Sequence, residues 1–76
     1  DLMYVKQQPG ETAHHYRARF LLVKEKITSY QDQDIITTFR SNCRDEAILN
    51  ALTRRHVQSL TMLSNVVRKY CAMEST

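Results

Sequence analysis

Seventy-six residues and 8.9 kDa allow one small domain and exclude a multidomain enzyme. At 42% apolar and 25% charged the chain is too apolar for a disordered tail, and one Gly and one Pro are too few turn formers for a β-sandwich or barrel. Eleven Lys and Arg against eight Asp and Glu leave +3, a basic bias that permits contact with nucleic acid or anionic lipid without requiring it.

Asp1 to Gln8 alternate loosely, Leu2 and Tyr4 against Met3 and Val5, and run into Pro9-Gly10, which reads as an extended arm ending in a turn. Beyond it Ala13, Tyr16, Phe20, Val23 and Ile27 recur every three or four residues and share an arc of about 80° on a helix. This is helix one, about 12 to 28, with Glu11 and Thr12 suited to its N-terminus. The stretch 28–32 breaks the pattern, and Asp32 is expected to cap helix two, about 33 to 41. Its inward residues are Ile35, Ile36 and Phe39, with Cys43 just beyond, and Asn42 is expected to close it in the left-handed conformation. Asp45 caps helix three, about 46 to 55, with Ile48, Leu49 and Leu52 inward; Ser59 caps helix four, about 60 to 74, with Leu60, Leu63, Val67 and Tyr70 on one side. The expectation is a single all-α domain, 1–76, of four short helices behind an extended N-terminal arm.

Chemistry-bearing patterns are sparse. Cys43 and Cys71 form no C-x-x-C motif and two thiols cannot staple a fold, so they read as inert core fillers in a reducing compartment. His14 and His15 diverge by about 100° on a helix and cannot grip one metal together, and with His56 and the two Cys they make no ligand set. A single Gly excludes a Gly-rich phosphate loop, and G-x-S-x-G and H-E-x-x-H elements are absent. The expectation is no enzyme, metal, cofactor or small-molecule substrate. No apolar run approaches the roughly 18 residues of a membrane span and no leader opens the chain, which points to a cytoplasmic protein without membrane contact. A start at Asp1 without Met suggests a piece of a longer polypeptide.

Two surface features stand out. Met62, Val66 and Met73 widen the apolar arc of helix four to about half its circumference, and Ala18, Leu21 and Leu22 lie on helix one away from its core stripe. Both sets are candidate oligomer interfaces. Arg54, Arg55, His56, Arg68 and Lys69 form one basic patch if the end of helix three lies near helix four, giving Arg54, Arg55, Arg68 and Lys69 as candidate phosphate contacts; the bland reading is a solvated helix end. No RNA-stacking aromatic is expected beside these arginines, Tyr70 being read as part of the core stripe.

Residues 7–20 contain Gln7, Glu11, Tyr16, Arg19 and Phe20 in the pattern Q-x-x-x-E-x-x-x-x-Y-x-x-R-F. This pattern resembles the major homology region of retroviral and retrotransposon capsid proteins. Phe39 to Asp45, Leu52 to Arg55, Ser59-Leu60 through Leu63, and Tyr70 through Glu74 look like the Gag segment of gypsy-type retrotransposons, whose Phe-x-x-Gly-Leu-Arg-Asp element here has Asn42 for Gly and Cys43 for Leu. The resemblance covers nearly the whole chain and implies a capsid C-terminal domain. Its implied function is Gag–Gag self-association, within virus-like particles and beside other Gag domains, with RNA held through flanking regions. SCAN domains, which resemble the same capsid half and form swapped dimers, are an alternative; a basic RNA-binding module is another.

Physical roles follow for the five positions. Tyr16 and Phe20 are one turn apart and anchor helix one in the core; Arg19 can reach back toward Gln7 and the carbonyls before the helix, and Glu11 can accept backbone N–H groups at the turn. The expected result is a structural network that locks the arm onto helix one. Retroviral capsids dimerise through an apolar outer face of helix two, but Asp34, Thr37, Thr38, Arg40 and Ser41 make that face polar here, which directs self-association elsewhere. A chain this short is expected to be marginally stable, on the order of 3–5 kcal/mol, so association would also support the fold.

Overall fold

The computed structural model describes residues 2–27 and 29–74. Among them are a 3₁₀ turn, Leu2–Tyr4, and four α-helices: α1 Ala13–Glu25, α2 Asp32–Asn42, α3 Glu46–Arg54 and α4 Leu60–Glu74, with no strand. The fold is all-α. Thr28, where helix one was expected to end, and Asp1, at the start of the arm, lie outside the described residues.

Short polar side chains start the helices. Thr12 Oγ1 accepts the His15 N–H at 3.1 Å, Asp45 Oδ1 accepts those of Ala47 and Ile48 at 3.0 and 3.3 Å, and Ser59 Oγ accepts that of Met62 at 3.1 Å. At α2 the cap is one residue earlier than expected: Gln31 takes it, Asp32 opens the helix, and Asp34 Oδ2 accepts the Gln31 N–H at 3.4 Å. The Pro9-Gly10 turn is closed by a Glu11 N–H to Gln8 carbonyl bond of 3.0 Å, with Gly10 at φ 82°.

The left-handed residue expected at Asn42 is found instead at His56, φ 48°. Asn42 is the last residue of α2, and the chain leaves through Cys43 in an extended conformation. At the end of α3 the His56 N–H bonds to the Thr53 carbonyl and the Val57 N–H to the Leu52 carbonyl, at 3.4 and 3.5 Å, and Val57 is buried behind them. This is a Schellman closure with histidine where glycine is the usual occupant.

The core is centred on three rings. Phe39 sits 4.9 Å from Tyr16 and 5.1 Å from Phe20, centroid to centroid, and the Tyr16 hydroxyl donates to the Phe39 carbonyl at 3.0 Å. Burial raises the Tyr16 hydroxyl well above its ordinary range, so it stays protonated as that donor. Ile35, Ile36, Ile48, Leu52, Leu63 and Val67 belong to the apolar shell, and Cys43 and Cys71 are buried in it as thiols. Ala51 joins them, while Leu49, Leu60 and Tyr70 sit only partly buried at its margin.

Two expectations are corrected by this packing. The arm is not an alternating extended segment: its 3₁₀ turn brings Leu2 and Val5 together, three residues apart, and buries both against α1 and α2. Val66 is 4% exposed and belongs to the domain's own core, so it leaves the candidate interface. α1, α2 and α3 all pack on α4, and a helix covered from three directions uses a wide apolar arc internally.

Phe20→Ala is expected to cost about 3–5 kcal/mol and leave little folded domain by circular dichroism at room temperature. His56→Gly is expected to raise stability by about 0.5–1 kcal/mol in urea titration, by removing the strain of a side chain at positive φ.

Candidate functional site

The motif residues fall in two adjoining layers. Tyr16 and Phe20 supply the aromatic layer beneath α1, while Gln7, Glu11 and Arg19 form a polar layer where the arm meets the helix. Arg19 grips Glu11 with a two-pronged fork, Nε to Oε2 and Nη2 to Oε1, both 2.7 Å, and Nη2 also donates to the Lys6 carbonyl at 2.7 Å. Glu11 Oε1 accepts the Gln8 N–H at 2.9 Å, and Oε2 lies 2.8 Å from His15 Nδ1. The Glu11 side chain is almost fully covered, whereas Arg19 keeps one edge in solvent.

Arg19 therefore reaches the arm as expected, at Lys6 rather than Gln7. Gln7 is buried and faces another element: its Oε1 accepts the Arg44 N–H at 2.7 Å and the Cys43 thiol at 3.5 Å, and its Nε2 donates to the Glu11 carbonyl at 3.0 Å. The Gln7 N–H bonds to the Asn42 carbonyl at 2.9 Å, and Asn42 Nδ2 donates to the carbonyls of Met3 and Val5 at 3.0 and 3.1 Å. Asn42, expected to close α2, instead clips the arm to it. No buried side-chain N or O among the described residues lacks a hydrogen-bond partner. The buried part of the network is satisfied internally.

Electrostatically the centre of this layer is Glu11. The Arg19 hydrogen bonds, outweighing the opposing effect of burial and aided by the Gln8 N–H and the nearby positive groups, pull its carboxyl from 4.5 down to about 2. Burial raises the Cys43 thiol, which keeps it an inert packing group. Among the described residues no group of three or more His, Cys, Asp and Glu is placed to hold a metal ion, and no helix is long and apolar enough to cross a membrane.

The candidate interface residues scatter. Leu22 is 61% exposed, Ala18 and Met73 are exposed, and Leu21 and Met62 are half-buried, with Leu21 lining a small cavity of about 50 Å³ between α1 and α4. Two exposed apolar groups were not anticipated: Met3 and, at 81% exposure, Tyr4. The 3₁₀ turn that buries Leu2 and Val5 points their neighbours outward. With Tyr30 they border an open groove along the outer face of α2, beside Asp34, Thr37, Thr38 and Ser41, so that face is less polar than α2 alone implied.

Of the basic set, Arg54, Arg55 and Lys69 line one concavity between the end of α3 and α4, together with Asn65, Val66 and Tyr70; Arg68 is not among its walls. Tyr70, read as a core-stripe residue, is thus an aromatic ring beside two arginines. Its place on the rim follows from how α4 is rotated against α3, which helical periodicity alone does not specify. No protein-family model, no curated protein and no solved structure matches the chain.

Arg19→Ala is expected to cost about 1–3 kcal/mol, because it strands the covered Glu11 carboxylate and the Lys6 carbonyl. Since the folded-state value of Glu11 is depressed, its contribution is complete above about 4.5 and lost as pH falls toward about 2. Glu11→Gln should lack that component, so the stability gap between parent and variant in urea narrows with acidification through this window.

Proposed function

We propose that the chain is a capsid C-terminal domain of the Gag type, from a gypsy-type retrotransposon or a host gene derived from one, acting as a non-enzymatic self-assembly module. The observation that carries this reading is the convergence of all five motif positions on one device. Gln7, Glu11 and Arg19 tie the arm to α1 and to the α2–α3 junction, while Tyr16 and Phe20 stack in the core immediately beneath. Five residues spread over fourteen positions are spent on holding a shape. That is the expected economy of a building block, whose surface must be presented in one fixed geometry each time it is repeated.

Assembly through weak, repeated contacts needs only modest pair affinity, since multivalency converts it into a stable lattice. The exposed apolar side chains Leu22 on α1 and Tyr4 on the arm are suitable for such a contact. Light scattering from micromolar to millimolar concentration should give a molar mass rising above 8.9 kDa, reduced to the monomer value by either Leu22→Asp or Tyr4→Asp. A constant monomer mass across the series overturns self-assembly by this chain.

A further inference from the structure

We infer that the α3–α4 concavity is a binding cleft for single-stranded RNA, with Arg54, Arg55 and Lys69 on the phosphates and Tyr70 against a base. This inference is independent of the assembly reading and stands on different residues. Its first support is how charge is divided along the chain. Residues 47–73 contain Arg54, Arg55, Arg68 and Lys69 and no Asp or Glu, whereas the rest of the molecule holds seven Lys and Arg against eight Asp and Glu. The positive excess thus falls within residues 47–73, between the carboxylates of Glu46 and Glu74 that open α3 and end α4.

The second support is geometric. Three of those four cations wall a concavity of about 310 Å³ that contains no carboxylate, and none of the three makes an ion pair among the described residues. Arg54 and Tyr70 also border a neighbouring concavity of about 510 Å³, lined besides by Ala47, Asn50 and Thr53. Arg40 extends the positive edge, donating to Thr53 Oγ1 at 3.0 Å. The two hollows share Arg54 and Tyr70 in their walls, with the amide of Asn65 in one and that of Asn50 in the other.

Local backbone bonding frees the arginines for this role. Arginines at a helix C-terminus commonly satisfy its last carbonyls, but here the N–H groups of Arg55, His56 and Val57 already bond the carbonyls of Ala51, Thr53 and Leu52. Arg54 and Arg55 are exposed, and those three carbonyls have no need of their guanidinium groups. Cations on a backbone track with an aromatic platform between them are the elements with which proteins hold single strands, and amides add contacts to base edges. An acidic peptide would use the cations but would leave the ring and the amides without a partner.

The test is fluorescence anisotropy of a labelled uridine dodecamer titrated with the 76-residue chain. With three cations engaged, the logarithm of the affinity should fall with the logarithm of salt at a slope of about −2 between about 50 and 200 mM. The double variant Arg54→Gln/Lys69→Gln should weaken binding at least about tenfold and bring the slope to about −0.7, whereas Arg68→Gln, outside the cleft, should bind nearly as the parent. Tyr70→Phe should retain affinity and Tyr70→Leu lose about fivefold or more, each with an unchanged helical spectrum. Absence of binding at the lowest salt overturns the inference, as does a double variant that binds like the parent. Equal binding of a glutamate peptide of matched charge, or equal affinity of Tyr70→Leu and Tyr70→Phe, overturns the assignment to RNA.

Discussion

The Arg19–Glu11 fork is the constraint on which the rest of this domain depends. The one turn of 3₁₀ helix in the arm, closed by the Val5 N–H on the Leu2 carbonyl, does not tie it to the domain, yet the arm delivers Leu2 and Val5, two of the core's buried side chains, to a molecule too small to spare them. A segment of that kind is positioned only by what grips it. Arg19 grips it from α1 at Lys6 and Glu11, and the α2–α3 junction grips it through Gln7 and Asn42. The apolar layer and the polar layer are therefore coupled: loosening the fork lets the arm lift, and lifting the arm opens the core above α1 and α2.

Helix number, order and type follow from periodicity because each helix has a clear apolar stripe and a short polar residue to start it. Thr12, Asp45 and Ser59 are caps of the simplest kind, with a side-chain oxygen reaching an N–H group two or three residues on. The aromatic layer is equally direct, since Tyr16 and Phe20 are four apart on one helix. What pattern alone does not give is any role set by a partner distant in the chain. Gln7 bonds Arg44, thirty-seven residues away, and Asn42 reaches back to the arm, so neither destination is written near the residue that makes the bond.

The remaining differences share a cause. Val66 reads as surface if α4 is imagined with one neighbour and as core once three helices lean on it. Met3 and Tyr4 read as members of an alternating strand until a 3₁₀ turn changes which residues share a side. The left-handed position falls at His56 and not at Asn42 because the chain must turn there from α3 into α4, and histidine is accepted once its backbone and that of Val57 complete the closure. In each case the local preference is weak and the tertiary arrangement decides.

The hub position of α4 also governs how the molecule is made. It is the last of the four helices in the chain, and the other three lay their apolar sides against it. During synthesis α1 and α2 can meet through Tyr16, Phe20 and Phe39, but the sides that they and α3 turn toward α4 stay uncovered until Leu60–Glu74 follows. The cover of the apolar sides of α1, α2 and α3 therefore waits on the helix made last of the four.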